Sequence, residues 1–145
     1  MIYGESMGGA VAIDLARRHP EAQALIVQST FTSMTAAVRQ NPLFKLLPLE
    51  LILTDKFDSL SKVPQLQLPV LFIHGTDDVI VSSLMAEQLY AAVPEPKQLH
   101  LVPGAGHFGL YKPGKDSYLR AIAEFLQGDR RATPTQPRAV ELTQP

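Results

Sequence analysis

Gly4-Glu5-Ser6-Met7-Gly8-Gly9 stands almost at the start of the chain and has the form G-x-S-x-G. In that pattern a serine sits on a sharp turn between a strand and a helix. The turn crowds the backbone, so the flanking positions have to be small, as Gly4 and Gly8 are. The serine hydroxyl then projects beyond the carboxyl end of the strand. It stands beside a helix amino terminus, where free N–H groups and the helix dipole favour negative charge. An attacking alkoxide and a developing oxyanion both need such surroundings. The flanks agree: Met1-Ile2-Tyr3 reads as the end of a strand, and Gly9-Ala10-Val11-Ala12-Ile13 opens an apolar helix. Five residues alone do not exclude a glycine-rich turn with an incidental serine, so the rest of the chain has to decide.

At 145 residues, 46% of them apolar, the chain fits one domain with a substantial core. A formal net charge of −1 gives no electrostatic case for nucleic acid or an anionic membrane surface. With no cysteine, disulfides, thiolate metal sites and cysteine nucleophiles are excluded. The amino terminus lacks the basic region, apolar stretch and cleavage site of a leader, and a cytoplasmic location is expected. The most apolar segment, Leu43 to Leu53, is interrupted by Lys45, Pro48 and Glu50 and is too short to span a bilayer.

Working outward from the elbow, Ser6 to His19 reads as a helix with Asp14 as its one acidic break. Arg17, Arg18 and His19 suit its last turn, and Pro20 stops it. Ala24 to Val27 is a continuous apolar run, the pattern of a strand covered on both faces. Strand, helix and strand in succession make a parallel crossover the expected connection. A segment without strand character follows, at about 32–68. Thr35 to Gln40 can be helical, and Pro42, Pro48, Pro64 and Pro69 divide the remainder. Its apolar set, Phe44, Leu46, Leu47, Leu49, Leu51, Ile52 and Leu53, suggests a small lid-like insertion, more readily packed onto the domain than lining a pocket.

Pro69-Val70-Leu71-Phe72-Ile73-His74-Gly75 is the clearest strand and ends in a glycine turn. Ser82 or Ser83 can cap a helix whose apolar positions are Met85, Leu89, Ala92 and Val93. Gln98 to Val102 is a further strand, followed by Pro103-Gly104-Ala105-Gly106-His107. A last helix is expected from about Asp116 to Gln127, with Tyr118, Ile122, Phe125 and Leu126 as its buried stripe and Gly128 as its cap. The domain is therefore drawn at 1–128. Residues 129–145, rich in proline and polar residues, are expected to be a disordered tail.

The loops beginning at Gly4, Gly75 and Gly104 all follow strand ends, and open parallel sheets place their sites at that edge. They carry Ser6, Asp77-Asp78 and His107. A serine hydroxyl is a weak nucleophile until a base takes its proton. Histidine suits that role near neutral pH, and a carboxylate on its other nitrogen fixes the tautomer and stabilises the imidazolium. His74, at a strand end, reads as a structural hydrogen-bonding residue. His100 falls inside a strand and His19 at a helix end. No His-Glu-x-x-His or comparable spacing suggests a metal, and no cofactor is expected.

With these residues in view, the chain resembles the carboxyl-terminal half of an α/β-hydrolase. Gly4 to Gly9 is similar to the nucleophile elbow, His74-Gly75-Thr76-Asp77-Asp78 to the family's acid turn, and Gly104-Ala105-Gly106-His107 to its histidine loop. The order Ser, Asp, His is the order of that family. The resemblance covers roughly Ile2 to Gln127. It implies a three-layer α/β fold on a mostly parallel sheet, lacking the amino-terminal strands. It implies Ser6 as nucleophile, His107 as base, Asp78 as acid and the Met7 backbone N–H as oxyanion donor. The short insertion, with Phe31-Thr32-Ser33 and Phe57-Asp58-Ser59-Leu60, is similar to the small-lid branch related to prolyl-oligopeptidase-type domains.

The activity implied is that of a serine hydrolase of carboxylic esters, with peptides second. The substrate is a small acyl compound, with no nucleic acid and no membrane span. The family's early loop, which supplies a second oxyanion donor, has no counterpart here, and loss of one such donor typically costs about 2.7–4 kcal/mol. A non-catalytic binding module, or an inactive fragment, is the alternative from another class. Ile2 and Tyr3 are expected to pair poorly with Ala24–Val27. The all-apolar strands need cover on both faces, so the chain alone is expected to be oligomeric or poorly soluble, or to pair with a complementing amino-terminal half.

Overall fold

The strand read most clearly, Val70-Leu71-Phe72-Ile73, lies inside a four-stranded sheet. The computed structural model describes residues 1–40 and 57–132. Strand β3 (Val70–Gly75) is buried along its whole length. It lies between β2 (Leu25–Gln28) and β4 (Lys97–Val102), with β1 (Ile2–Glu5) beyond β2. All three pairings are parallel. The connections carry α1 (Met7–Arg18), α2 (Met34–Arg39), a single 3₁₀ turn (Val63–Gln65), α3 (Ser83–Ala92) and α4 (Tyr111–Ala132).

Side chains alternate across a strand, and this alternation makes the layers. Leu25, Val27, Val70 and Phe72 point to one face, where they pack with Ile13 and Ala16 of α1 and Leu89 of α3. Ile26, Leu71 and Ile73 point to the other, where they meet Leu110 and Phe125, with Tyr118, Ile122 and Leu126 of α4 alongside. Helices thus cover both faces, which is why these strands read as unbroken apolar runs. The stripe expected on the last helix is the one that packs. Among the described residues no helix is long and apolar enough to cross a membrane.

Three expectations are corrected. First, β1 pairs fully with β2, at Ile2–Leu25, Tyr3–Ile26, Gly4–Val27 and Glu5–Gln28. The ladder uses backbone groups, so Gly4 and Glu5 extend the strand until Ser6 turns the chain. Second, α4 begins at Tyr111 rather than Asp116. Pro113 falls in its first turn, where a missing N–H costs no intrahelical bond. Third, α4 runs through Gly128 to Ala132. A glycine inside a helix costs only about 0.5–1 kcal/mol relative to alanine, too little to stop a helix docked by its apolar stripe. The remaining tail residues, 133–145, and the apolar set from Phe44 to Leu53 lie outside the described residues.

Asp14, the acidic break in α1, has a structural role. Its carboxylate meets Arg17 at 3.3 Å, Arg18 at 2.6 Å and Lys62 at 3.1 Å, tying the helix to the 3₁₀ turn. Burial would raise its pKa, but the hydrogen bonds of Lys62 and Arg17 and the charges of Lys62 and Arg18 prevail and lower it. Elsewhere α1 is less covered than its composition suggests: Val11 and Leu15 are exposed while Ala10, Ala12, Ile13 and Ala16 are buried.

Candidate functional site

The carboxyl ends of β1, β3 and β4 bring three turns to one edge of the sheet. At the first, Ser6 follows β1 with φ 54° and ψ −122°. Positive φ at a non-glycine residue is strained, at a cost of about 1–3 kcal/mol, and persists only when its surroundings hold it. Here Ser6 N–H donates to Gln28 O at 2.8 Å, and the Thr30 hydroxyl donates to Ser6 O, also at 2.8 Å. A Cβ on Gly4 would fall 2.3 Å from Gly8 O and 2.6 Å from Ala12 Cβ, so α1 crosses directly over the strand. The second position that has to be small is Gly9, whose Cβ would meet Thr30 at 2.7 Å, and not Gly8, which faces open space. The sequence reading of Gly8 is corrected accordingly.

Ser6 occupies the N-cap of α1, yet its hydroxyl makes no capping bond. A serine there ordinarily turns its oxygen back to the helix N–H groups. This one lies 3.0 Å from His107 Nε2. Met7, the next residue, is the first of α1 and half exposed. Its N–H is among the four that have no intrahelical partner.

The second turn holds Asp78, whose side chain is wholly buried. Its Oδ1 accepts the backbone N–H groups of Ile80 at 2.9 Å and Val81 at 2.8 Å. Its Oδ2 lies 2.7 Å from His107 Nδ1 and 3.1 Å from His74 Nε2. Asp77, the neighbouring candidate, is exposed and accepts a bond from the Thr76 hydroxyl at 2.8 Å.

The third turn carries His107, 6% exposed. It is fastened to the second by Thr76 N–H to Val102 O, Asp77 N–H to Ala105 O and Gly104 N–H to the Thr76 hydroxyl, at 3.1, 2.9 and 2.9 Å. The two turns lie so close that a Cβ on Gly75 would fall 2.2 Å from Ala105 O. Ser29 adds a hydroxyl bond to His107 O at 3.3 Å, and Phe108 sets its ring edge-on to the imidazole.

Ser6, His107 and Asp78 therefore form one hydrogen-bonded chain. Asp78 Oδ1 holds two N–H donors, and Oδ2 faces His107 Nδ1, so Nδ1 carries the hydrogen. That leaves Nε2 with a lone pair for the Ser6 hydroxyl. Of the other histidines, His74 adjoins Asp78, while His19 pairs with Glu21 and His100 lies within β4. The contributions of Thr30, Thr76 and Ser29 had no sequence signal. Each acts through a backbone partner that no residue pattern reveals.

Beside the elbow, the hydroxyls of Tyr3 and Tyr118 donate to Gln28 Oε1 at 3.3 and 2.9 Å. Burial first, then the charges of Tyr118 and Glu5, push the Tyr3 phenol up to about 12. Burial also raises Tyr118. Both stay protonated and can donate. Any stability from the protonated Tyr3 is present below its ordinary value near 10 and lost as pH rises through about 12.

The family described as serine aminopeptidase, S33, matches residues 58–111. An uncharacterized protein of Mycobacterium tuberculosis strain H37Rv is 41% identical over 105 residues, covering 72% of this chain and 36% of the relative. The human α/β hydrolase domain-containing protein 17B is 31% identical over 127 residues, covering 87% of this chain and 41% of the relative. The chain thus spans well under half the length of these curated relatives. Among solved structures, the esterase domain of a Rhodothermus marinus protein superposes with TM-score 0.64 at 23% identity, over 88% of this chain and 58% of that one. A puromycin-hydrolyzing peptidase of M. tuberculosis gives TM-score 0.68 at 20% identity, over 96% and 22%. The fold is an α/β-hydrolase fold, present in part, and the matches support the α/β-hydrolase superfamily.

Proposed function

We propose that the chain carries the catalytic residues of a serine hydrolase acting on carboxylic esters. The observation that carries this reading is the linear run of contacts, 3.0 Å from Ser6 Oγ to His107 Nε2 and 2.7 Å from His107 Nδ1 to Asp78 Oδ2. Ser6 Oγ attacks the acyl carbonyl while its proton passes to His107 Nε2. The carbonyl oxygen becomes an oxyanion beside Met7 N–H. The imidazolium, held by Asp78, returns the proton to the departing alkoxide as the C–O bond breaks, leaving an acyl group on Ser6. Water then attacks the acyl carbon, giving its proton to His107, and the acid leaves as Ser6 recovers its hydrogen. Asp78 remains a carboxylate throughout.

Esters are placed before peptides because an alkoxide is a better leaving group than an amide nitrogen. The partners proposed are a small acyl substrate and a complementing amino-terminal segment. The small-lid branch related to prolyl-oligopeptidase-type domains is the proposed subfamily. Hydrolysis of short p-nitrophenyl esters tests the reading. Turnover that Ser6→Ala abolishes is expected; turnover unchanged by Ser6→Ala would overturn it.

A further inference from the structure

Among the described residues, His74 is the one wholly buried ring that touches Asp78. It belongs to no step of the reaction above, and its exposure is 0%. Its Nε2 lies 3.1 Å from Asp78 Oδ2 and 2.9 Å from Val81 O. A backbone carbonyl only accepts, so Nε2 carries a hydrogen and donates to both oxygens. Val81 meanwhile donates its own N–H to Asp78 Oδ1 at 2.8 Å. Asp78, Val81 and His74 thus close a small ring of hydrogen bonds around the carboxylate.

Nδ1 of the same ring is buried and has no partner among the described residues. An unsatisfied buried polar atom costs about 1–3 kcal/mol. A leucine here would fill similar space without that penalty, so packing alone does not account for a histidine. The compensation lies at Nε2. Asp78 Oδ1 has two backbone donors. Oδ2 has His107 and His74. His107 is the ring whose charge and bonding alter during a reaction at Ser6. His74 supplies Oδ2 with a donor that does not change.

Resting on the serine-hydrolase reading, we propose that His74 is a positioning residue. Through its Nε2–H it pins Asp78 Oδ2 in line with His107 Nδ1, and thereby keeps His107 in the tautomer that can accept the Ser6 proton. Without that donor the carboxylate can swing about its Oδ1 bonds, and His107 can take the Nε2–H form, which has no lone pair for Ser6.

The test uses the full chain as wild type, His74→Leu and His74→Gln. Glutamine places an amide N–H the same number of bonds from Cβ as histidine Nε2, so it restores the donor. Ester kinetics are read beside nitrogen-15 histidine NMR, which reports each ring's tautomer without needing turnover. His74→Leu is expected to lower kcat by about 10–100-fold, the range known for losing the outer partners that hold metal-ligating side chains. KM should stay within about twofold, because the interaction does not touch substrate. His107 should lose its pure Nδ1–H form in the leucine variant and regain it, with most of kcat, in His74→Gln. Unchanged kcat and tautomer in His74→Leu, or a glutamine variant as impaired as leucine, would overturn the proposal. If the leucine variant does not fold, the wild-type spectrum decides: His74 protonated at Nε2 is expected, and at Nδ1 alone contradicts it. An inactive wild type with these tautomers would overturn the hydrolase reading while leaving the placement of His74 supported.

Discussion

The serine elbow and the acid turn lie at the same edge of the sheet but are built in opposite ways. Ser6 is strained, at φ 54°, and its hydroxyl is released from the capping bond its position invites. Met7 and Phe108 beside the site are exposed. Asp78 is wholly buried, with every contact to its two oxygens coming from a hydrogen-bond donor, and its turn is sewn to the histidine loop by three bonds. On the proposed reading Ser6 is a nucleophile that has to meet substrate and give up a proton, so its surroundings stay open and underbonded. A carboxylate that stabilises a neighbouring charge works by standing still, so its surroundings are dense and satisfied.

Apart from loss of the serine itself, the largest effect is expected on the dense side. Asp78→Asn puts an amide where two backbone N–H groups and two imidazoles converge, and one of its ends can only donate. By the precedent of a serine protease triad, kcat should fall by roughly 10⁴-fold with little change in KM. Steady-state ester kinetics would measure it. A loss of less than about tenfold would break the contrast, because the acid would then not depend on its surroundings.

Next comes the junction between acid turn and histidine loop. Gly75→Ala sets a Cβ against the backbone oxygen of Ala105, which has no rotamer by which to withdraw. Overpacking of this kind costs about 1–3 kcal/mol, and more where backbone has to move. Thermal unfolding should show the loss, and activity should fall as the loops part. Gly4→Ala is expected to behave similarly at the elbow. Equal stability to wild type in either would mean that the turns are less tightly joined than their distances indicate.

Two substitutions are expected to do little, and they sharpen the comparison. Asp77→Asn keeps an acceptor for the Thr76 hydroxyl on an exposed side chain, so kcat should stay within about threefold, as for surface changes worth under half a kcal/mol. An effect as large as that of Asp78→Asn would transfer the acid to Asp77. Gly8→Ala adds a methyl in open space and is expected to cost no stability, and to gain at most about 1 kcal/mol because alanine is the better helix former. A large loss would restore the sequence reading of Gly8 as a crowded position.

What the sequence made legible follows the same division. Ser6, Asp78 and His107, which the fold brings within hydrogen-bond reach of one another, could be singled out as candidates because each is a distinctive side chain in a glycine-bounded turn. The strands at Ala24–Val27 and Val70–Ile73 were legible because helices on both faces require unbroken apolar runs. Gly8 and Gly9 look alike in sequence, and only the path of α1 over Thr30 tells which is crowded. The acid's support was hidden because half of it is backbone N–H, which every residue carries. The start of α4 was missed because Pro113 reads as a breaker until its place in the first turn is known. Its end was missed because Gly128 reads as a cap until the helix is seen to pass through it.

The central claim is that the open, strained side of the site carries a serine activated by His107. Reaction of the full chain with a fluorophosphonate, followed by trypsin and mass mapping, tests it most directly. The account predicts a single adduct on Ser6, in the peptide ending at Arg17, formed by the wild type and lost in His107→Ala. Folded protein that takes no label, or takes it on another residue, or labels Ser6 equally well without His107, would contradict it.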